Sequence, residues 1–144
     1  MKEIVNLLDL YKSSVFERDF EKHINIYDTD IKSYDIWDKW SHDGIDAWRD
    51  MTRGWFEALK NQNIRDKVDF SDVKIVENDS LGFLSATVTF TAVDKEGSEL
   101  KSLQNRLTWV LEKKDENWRV IHQHTSAPVN CSTMEVYLKS VDCI

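Results

Sequence analysis

Asn105-Arg106-Leu107-Thr108-Trp109-Val110-Leu111, a polar break at Lys114-Asp115-Glu116-Asn117, then Trp118-Arg119-Val120-Ile121-His122-Gln123-His124-Thr125-Ser126 is the stretch whose reading decides the fold. Leu103, Leu107, Trp109 and Leu111 alternate with Gln104, Arg106, Thr108 and Val110. A period of two, interrupted by turn residues, predicts two long antiparallel strands joined tightly. Pro128 marks the expected end of the second strand, because proline has no N–H to give a ladder.

Working outward, the same period holds upstream. Leu84, Ala86, Val88, Phe90 and Ala92 form one face of a strand, and Ser85, Thr87, Thr89 and Thr91 the other. Turns are expected at Asp94-Lys95-Glu96-Gly97 and Glu77-Asn78-Asp79-Ser80, with Val73 and Ile75 on a preceding strand. Before about Val68 the period becomes helical. Ile4, Leu7, Leu8, Tyr11 and Val15 mark a first helix; Asp19 caps a short second one carrying Phe20, Ile24 and Tyr27. Tyr27-Asp28-Thr29-Asp30 reads as a polar stop and residues 31–36 as a short strand. A stronger helix carries Ile45, Trp48, Thr52, Trp55, Phe56 and Leu59, with Asp43 as its expected N-cap and Asp46 in its first turn. Ser132-Thr133-Met134-Glu135 resembles a capping box, predicting a short C-terminal helix anchored by Val136 and Leu138. Helices first and strands after argue an α+β domain rather than a βαβ fold.

The 144 residues are enough for one core, and a single Pro with four Gly leaves no long linker. A net charge of −7 disfavours nucleic acid and anionic membranes as partners. No apolar run is long enough to span a bilayer. The start, Met1-Lys2-Glu3-Ile4, lacks the apolar core of a secretion signal, so a cytoplasmic location is expected. Cys131 and Cys143 match no zinc or redox spacing and are expected to be free thiols. No Gly-rich phosphate loop and no Gly-x-Ser-x-Gly elbow occurs, so a nucleotide site or serine nucleophile is not indicated.

The terminal hairpin, continued through Ala127-Pro128, resembles that of SnoaL-like domains of the nuclear transport factor 2-like superfamily, and of the calcium/calmodulin-dependent kinase II association domain. Arg18-Asp19-Phe20, Tyr34-Asp35 and Gly44-Ile45-Asp46-Ala47-Trp48 fit the same order of elements. The resemblance covers roughly residues 3 to 128. It implies a cone-shaped fold over 1–128, a curved antiparallel sheet with N-terminal helices enclosing a pocket, followed by an extension over 129–144. The superfamily includes isomerases, cyclases, epoxide hydrolases and dehydratases beside members that only bind or assemble, so the fold does not choose among them.

His122 and His124, two apart on a strand, share a face. The resemblance turns that face, with Ser126, toward the pocket, where the histidines could order a hydrogen-bond network, act as base, or ligate a metal with a third acid. It likewise carries Arg106 into the pocket, with Thr108 beside it; the guanidinium would meet a ligand carboxylate or an acid such as Asp35. The resemblance also places Tyr34 and Asp35 near the pocket mouth. Asp35 is the candidate acid/base carboxylate, with Asp38 an equal candidate, and Trp37, Trp40 and Trp55 its aromatic surroundings. Trp48, Trp55, Trp109 and Trp118 also read as core or interface. The resemblance gives Leu107, Trp109 and Leu111 an outer sheet face and a role in a homodimer; the alternative is that the C-terminal segment covers them.

The function expected from this is binding of a small, partly apolar, anionic ligand without a cofactor or metal. The alternatives are an isomerase, cyclase or dehydratase using Asp35 or a histidine, and an assembly module.

Overall fold

The computed structural model of the chain describes residues 3–139. The apolar spacing of the first segment produces α1 (Ile4–Glu17), whose buried stripe is Ile4, Leu7, Leu8, Tyr11 and Val15. It ends at Arg18, left-handed at φ 56°, and Asp19 then caps α2 (Phe20–Ile24) by accepting from Lys22 N–H at 3.1 Å.

The chain enters β1 (Tyr27–Tyr34) four residues earlier than expected. The segment read as a polar stop is strand because Tyr27 and Asp28 are both buried, and the Tyr27 hydroxyl donates to Gln123 Oε1 at 2.9 Å. A two-residue β2 (His42–Asp43) precedes α3 (Ile45–Asn61). The residue capping α3 is Gly44, not Asp43: Asp43 is held in β2 opposite Lys32, and the turn into the helix needs φ 87°, ψ 164°. That backbone region belongs almost to glycine alone.

Four long strands follow: β3 (Arg65–Glu77), β4 (Leu81–Val93), β5 (Glu99–Lys114) and β6 (Asn117–Ser126). One sheet results, ordered β2-β1-β6-β5-β4-β3. All neighbours are antiparallel except β1 and β6, which run parallel. Register shifts interrupt β1–β6, β3–β4 and β5–β6. Bulges of this kind bend and twist a sheet, which lets it wrap the helices.

The helices fill the inner face. Leu84, Ala86, Val88, Leu107, Trp109, Leu111, Trp118 and Val120 pack against α1 and α3 as one core. Leu107, Trp109 and Leu111 are 3%, 0% and 0% exposed. They are core residues, so the expectation of a dimer face made of them is reversed: an unbroken apolar row goes toward the helices, and Arg106 and Thr108 between them are exposed.

After β6 the chain turns back without forming a helix among the described residues. Asn130 Oδ1 accepts from Ser132 and Thr133 N–H, Met134 takes φ 63°, and Val129 bridges Val136. The expected capping box is thus an Asx-type turn, in which the Asn130 side chain takes the N–H groups a helix would have needed capped. Leu138 still anchors the segment, its carbonyl accepting from Gln104 N–H of β5. Cys131 is an exposed free thiol; Cys143 lies outside the described residues.

Candidate functional site

Between the sheet's inner face and α3 lies a cavity of about 750 Å³. Its floor is built by strand alternation. Val88, Phe90 and Ala92 of β4, Leu103, Asn105 and Leu107 of β5, and Gln123 and Thr125 of β6 all reach it. Its wall is aromatic: Tyr11 from α1, Trp37 from the segment after β1, and Trp48 and Trp55 from α3.

Two carboxylates enter this apolar space from opposite edges of the sheet. Asp35 follows β1, and Asp66 lies on β3 opposite Ala92. Three strands separate β1 from β3, a spacing of roughly 19 Å across a flat sheet. Asp35 Oδ1 accepts from the Thr125 hydroxyl at 3.2 Å and Oδ2 from Trp37 N–H at 3.3 Å. Thr125 is oriented by accepting from Ile36 N–H at 2.9 Å. Asp66 Oδ2 accepts from Trp55 Nε1–H at 3.2 Å. Burial pushes both carboxyls above their usual range, although these hydrogen bonds oppose it by favouring the charged form. Tyr11 is pushed up by burial and by the charges of Tyr27, Asp35 and Asp66.

Gln123 holds the floor together. Its Oε1 accepts from Tyr27 OH at 2.9 Å and from Trp109 Nε1–H at 2.8 Å. Among the described residues three further lining groups have no protein partner: His42 Nε2, Asn105 Oδ1 and Trp48 Nε1, on residues 5%, 6% and 2% exposed. Buried polar atoms are almost always satisfied, so each of these is an uncommon unpaired group packed beside the cavity.

The structure sorts the expected site residues into two sets. Asp35, Trp37 and Trp55 line the cavity, and so does the exposed Asp38 at its rim; of the two acids only Asp35 is drawn inside. Arg106, Thr108, His122, His124 and Ser126 lie on the outer face of the sheet instead. On β6, Trp118 and Val120 point inward, and unbroken alternation would have carried both histidines inward with them. The bulge prevents it. Val110 stands opposite His122 and Leu111 opposite Val120, leaving Ile121 extra, so the parity flips and Gln123 and Thr125 take the inner positions. Outside, Tyr34 packs edge-on against His122 and His124 at 5.3 and 5.5 Å, and His122 Nδ1–H donates to the Lys32 carbonyl at 2.8 Å. Arg106 Nε donates to Ser126 Oγ at 3.1 Å, in a shallow outer depression of about 220 Å³ closed by Tyr137 and Pro128. Asp35 does not meet Arg106. Trp40, 94% exposed, lies off the cavity.

Asn105, Gln123 and Thr125 went unnoticed in the sequence, yet a signal exists: Asn105 interrupts the apolar row of Leu103, Leu107 and Trp109. Asp66 shares the parity of buried Val68 but lies before the point where the alternation becomes visible. Nothing in the local pattern marks His42.

The family described as calcium/calmodulin dependent protein kinase II association domain matches residues 1–129. No curated protein matches in sequence. Among solved structures, an NTF2-like protein of unknown function from Pseudomonas putida superposes with a TM-score of 0.79 at 18% identity, over 94% of this chain and 91% of that one. A candidate calcium/calmodulin dependent protein kinase II association domain from Xanthomonas campestris gives 0.71 at 20%, over 87% and 85%. Aln2 from a Streptomyces species gives 0.74 at 13%, over 86% and 87%. Identities this low establish a shared nuclear transport factor 2-like fold and say nothing of activity.

Proposed function

Since this chain belongs to the calcium/calmodulin dependent protein kinase II association domain family and has the nuclear transport factor 2-like fold, we propose that it works through its cone cavity, binding a small, largely apolar molecule whose polar end meets Asp35. The observation that carries this reading is the cavity itself. It has the size of a small-molecule site and aromatic walls, with the carboxyls of Asp35 and Asp66 drawn into it. The expected preference for an anion rested on Arg106 and the two histidines, and goes with them to the outer face. Asp35, a carboxyl whose protonation burial favours, also has the environment of an acid/base group, which supports proton transfer on a bound carbonyl or hydroxyl compound.

A thermal-shift screen of neutral aromatic and alicyclic alcohols and ketones tests this. Wild type and Arg106→Ala are expected to share the same hits, because Arg106 is outside the cavity, whereas Asp35→Asn loses affinity or turnover. Asp35→Asn should also melt higher than wild type at pH 7. A carboxyl with a raised folded pKa costs stability as pH rises through the window above its ordinary value, and the amide removes that cost while still accepting from Thr125. Hits abolished by Arg106→Ala and untouched by Asp35→Asn would sink the reading.

A second reading, self-association, is favoured by the family match. The face available to it is the outer one, bearing Tyr34, Thr108 and His124.

A further inference from the structure

We propose that the cavity selects an organic cation, an ammonium group on an aromatic body, over the neutral or anionic isostere. The inference rests on the ligand-binding reading of this cavity and adds the charge of the occupant.

The charges on the lining are mostly negative. Asp35, Asp38, Asp50 and Asp66 reach it, against Lys39 and Lys101, which are exposed at the rim. Asp35 and Asp66 are the two carboxylates drawn inside, and among the described residues neither forms an ion pair with lysine or arginine. A carboxylate in a poorly hydrated site without a counter-charge is the partner an entering cation would supply.

The hydrogen-bond balance agrees. Several donors around the cavity are already committed: the Thr125 hydroxyl to Asp35, the Trp55 indole to Asp66, and Tyr27 and Trp109 to Gln123. Each carboxylate still keeps free lone pairs, so the acidic ends of the cavity hold a surplus of acceptors. Trp48 Nε1 and His42 Nε2 are the opposing cases, ring nitrogens without a partner among the described residues. An ammonium carries three donors and no acceptor, so it suits this surplus where a carboxylate does not. The walls add the face of a π system on several sides, from Tyr11, Trp37, Trp48, Trp55 and Phe90, and desolvated cations are attracted to such faces.

The test uses three indoles that differ in one group: tryptamine, the neutral alcohol tryptophol, and indole-3-acetate. Binding is measured by calorimetry at pH 7.5 in physiological salt, on wild type, Asp35→Asn, Asp66→Asn and Asp69→Asn. Asp69 is an exposed acid of β3 outside the cavity and controls for the net charge of −7. Tryptamine is expected to bind about tenfold or more tighter than tryptophol, with indole-3-acetate weakest. Asp35→Asn or Asp66→Asn should weaken tryptamine far more than tryptophol and so erase most of that preference, and Asp69→Asn should leave it intact. Tryptophol or indole-3-acetate binding as tightly as tryptamine overturns the charge preference and leaves the ligand-binding reading standing. A tryptamine preference equal in all four proteins also overturns it, as surface attraction. Binding of none of the three overturns both readings.

Discussion

Single side chains in this protein carry consequences that their sequence context hides. Gln123 sits between two histidines and reads as one more polar residue of an outer face, yet it is 2% exposed and accepts from two buried donors. Gln123→Leu keeps the volume and strands both donors, so it is expected to cost about 2–5 kcal/mol in urea unfolding. His23 is also fully buried, among the rings of Tyr11, Tyr27, Trp55 and Phe56. The Ser14 hydroxyl is shared between His23 Nδ1 at 2.9 Å and the Tyr11 carbonyl at 3.2 Å. Burial lowers the His23 pKa from 6.5 to about 3. As pH falls below 6.5 the unfolded chain takes up a proton that the folded one refuses. Stability from this group is therefore level above that pH and falls by about 1.4 kcal/mol per unit down to the folded pKa. Denaturation midpoints of wild type minus His23→Gln, plotted against pH, should show that slope; a flat difference would place the ring in solvent.

Whole elements show where alternation is a reliable guide and where it is not. On β4 and β5 Leu84, Ala86, Val88, Leu107, Trp109 and Leu111 keep one parity, and they do face the helices as a single row. The reading that sent Leu107, Trp109 and Leu111 outward followed a family analogy for Arg106 against that plain pattern. Trp109→Ala separates the roles. A core tryptophan truncated this way costs roughly 3–5 kcal/mol of unfolding free energy at any protein concentration. An interface tryptophan would instead lower association and spare the monomer. On β6 alternation breaks at Ile121, because one extra residue leaves the ladder and every later side chain changes sides. No composition signal distinguishes a bulged Val-Ile-His from a regular one, which is why the histidine pair was assigned to the wrong face. The start of α3 shows a third kind of gap: Asp43 looks like the better cap, but only Gly44 can take φ 87°, ψ 164°. Gly44→Ala should lower stability by about 1–3 kcal/mol, read as a urea midpoint shift.

For the molecule as a whole, the open questions are what enters the cone and what meets its outer face. No helix among the described residues is long and apolar enough to cross a membrane. Self-association, where the family match points, is predicted to use the outer face and so to be separable from the cavity. Thr108→Glu with His124→Glu should lower the sedimenting mass while leaving cavity ligands bound; loss of both together would mean that the two faces are coupled. The sequence by itself determined the class of fold, the order of elements, the apolar rows of β4, β5, α1 and α3, and the candidacy of Asp35 with Trp37 and Trp55. The apolar rows and the fold class follow from local periodicity, and the candidacy of Asp35 follows from the family resemblance of the Tyr34-Asp35 segment. Only the tertiary structure decided which polar residues share the cavity. That depended on the bulge in β6, on β1 and β3 bringing Asp35 and Asp66 in from opposite edges, and on buried atoms such as Asn105 Oδ1 being left unpartnered. Burial and register are sums over distant parts of the chain, and a strand's own letters do not record them.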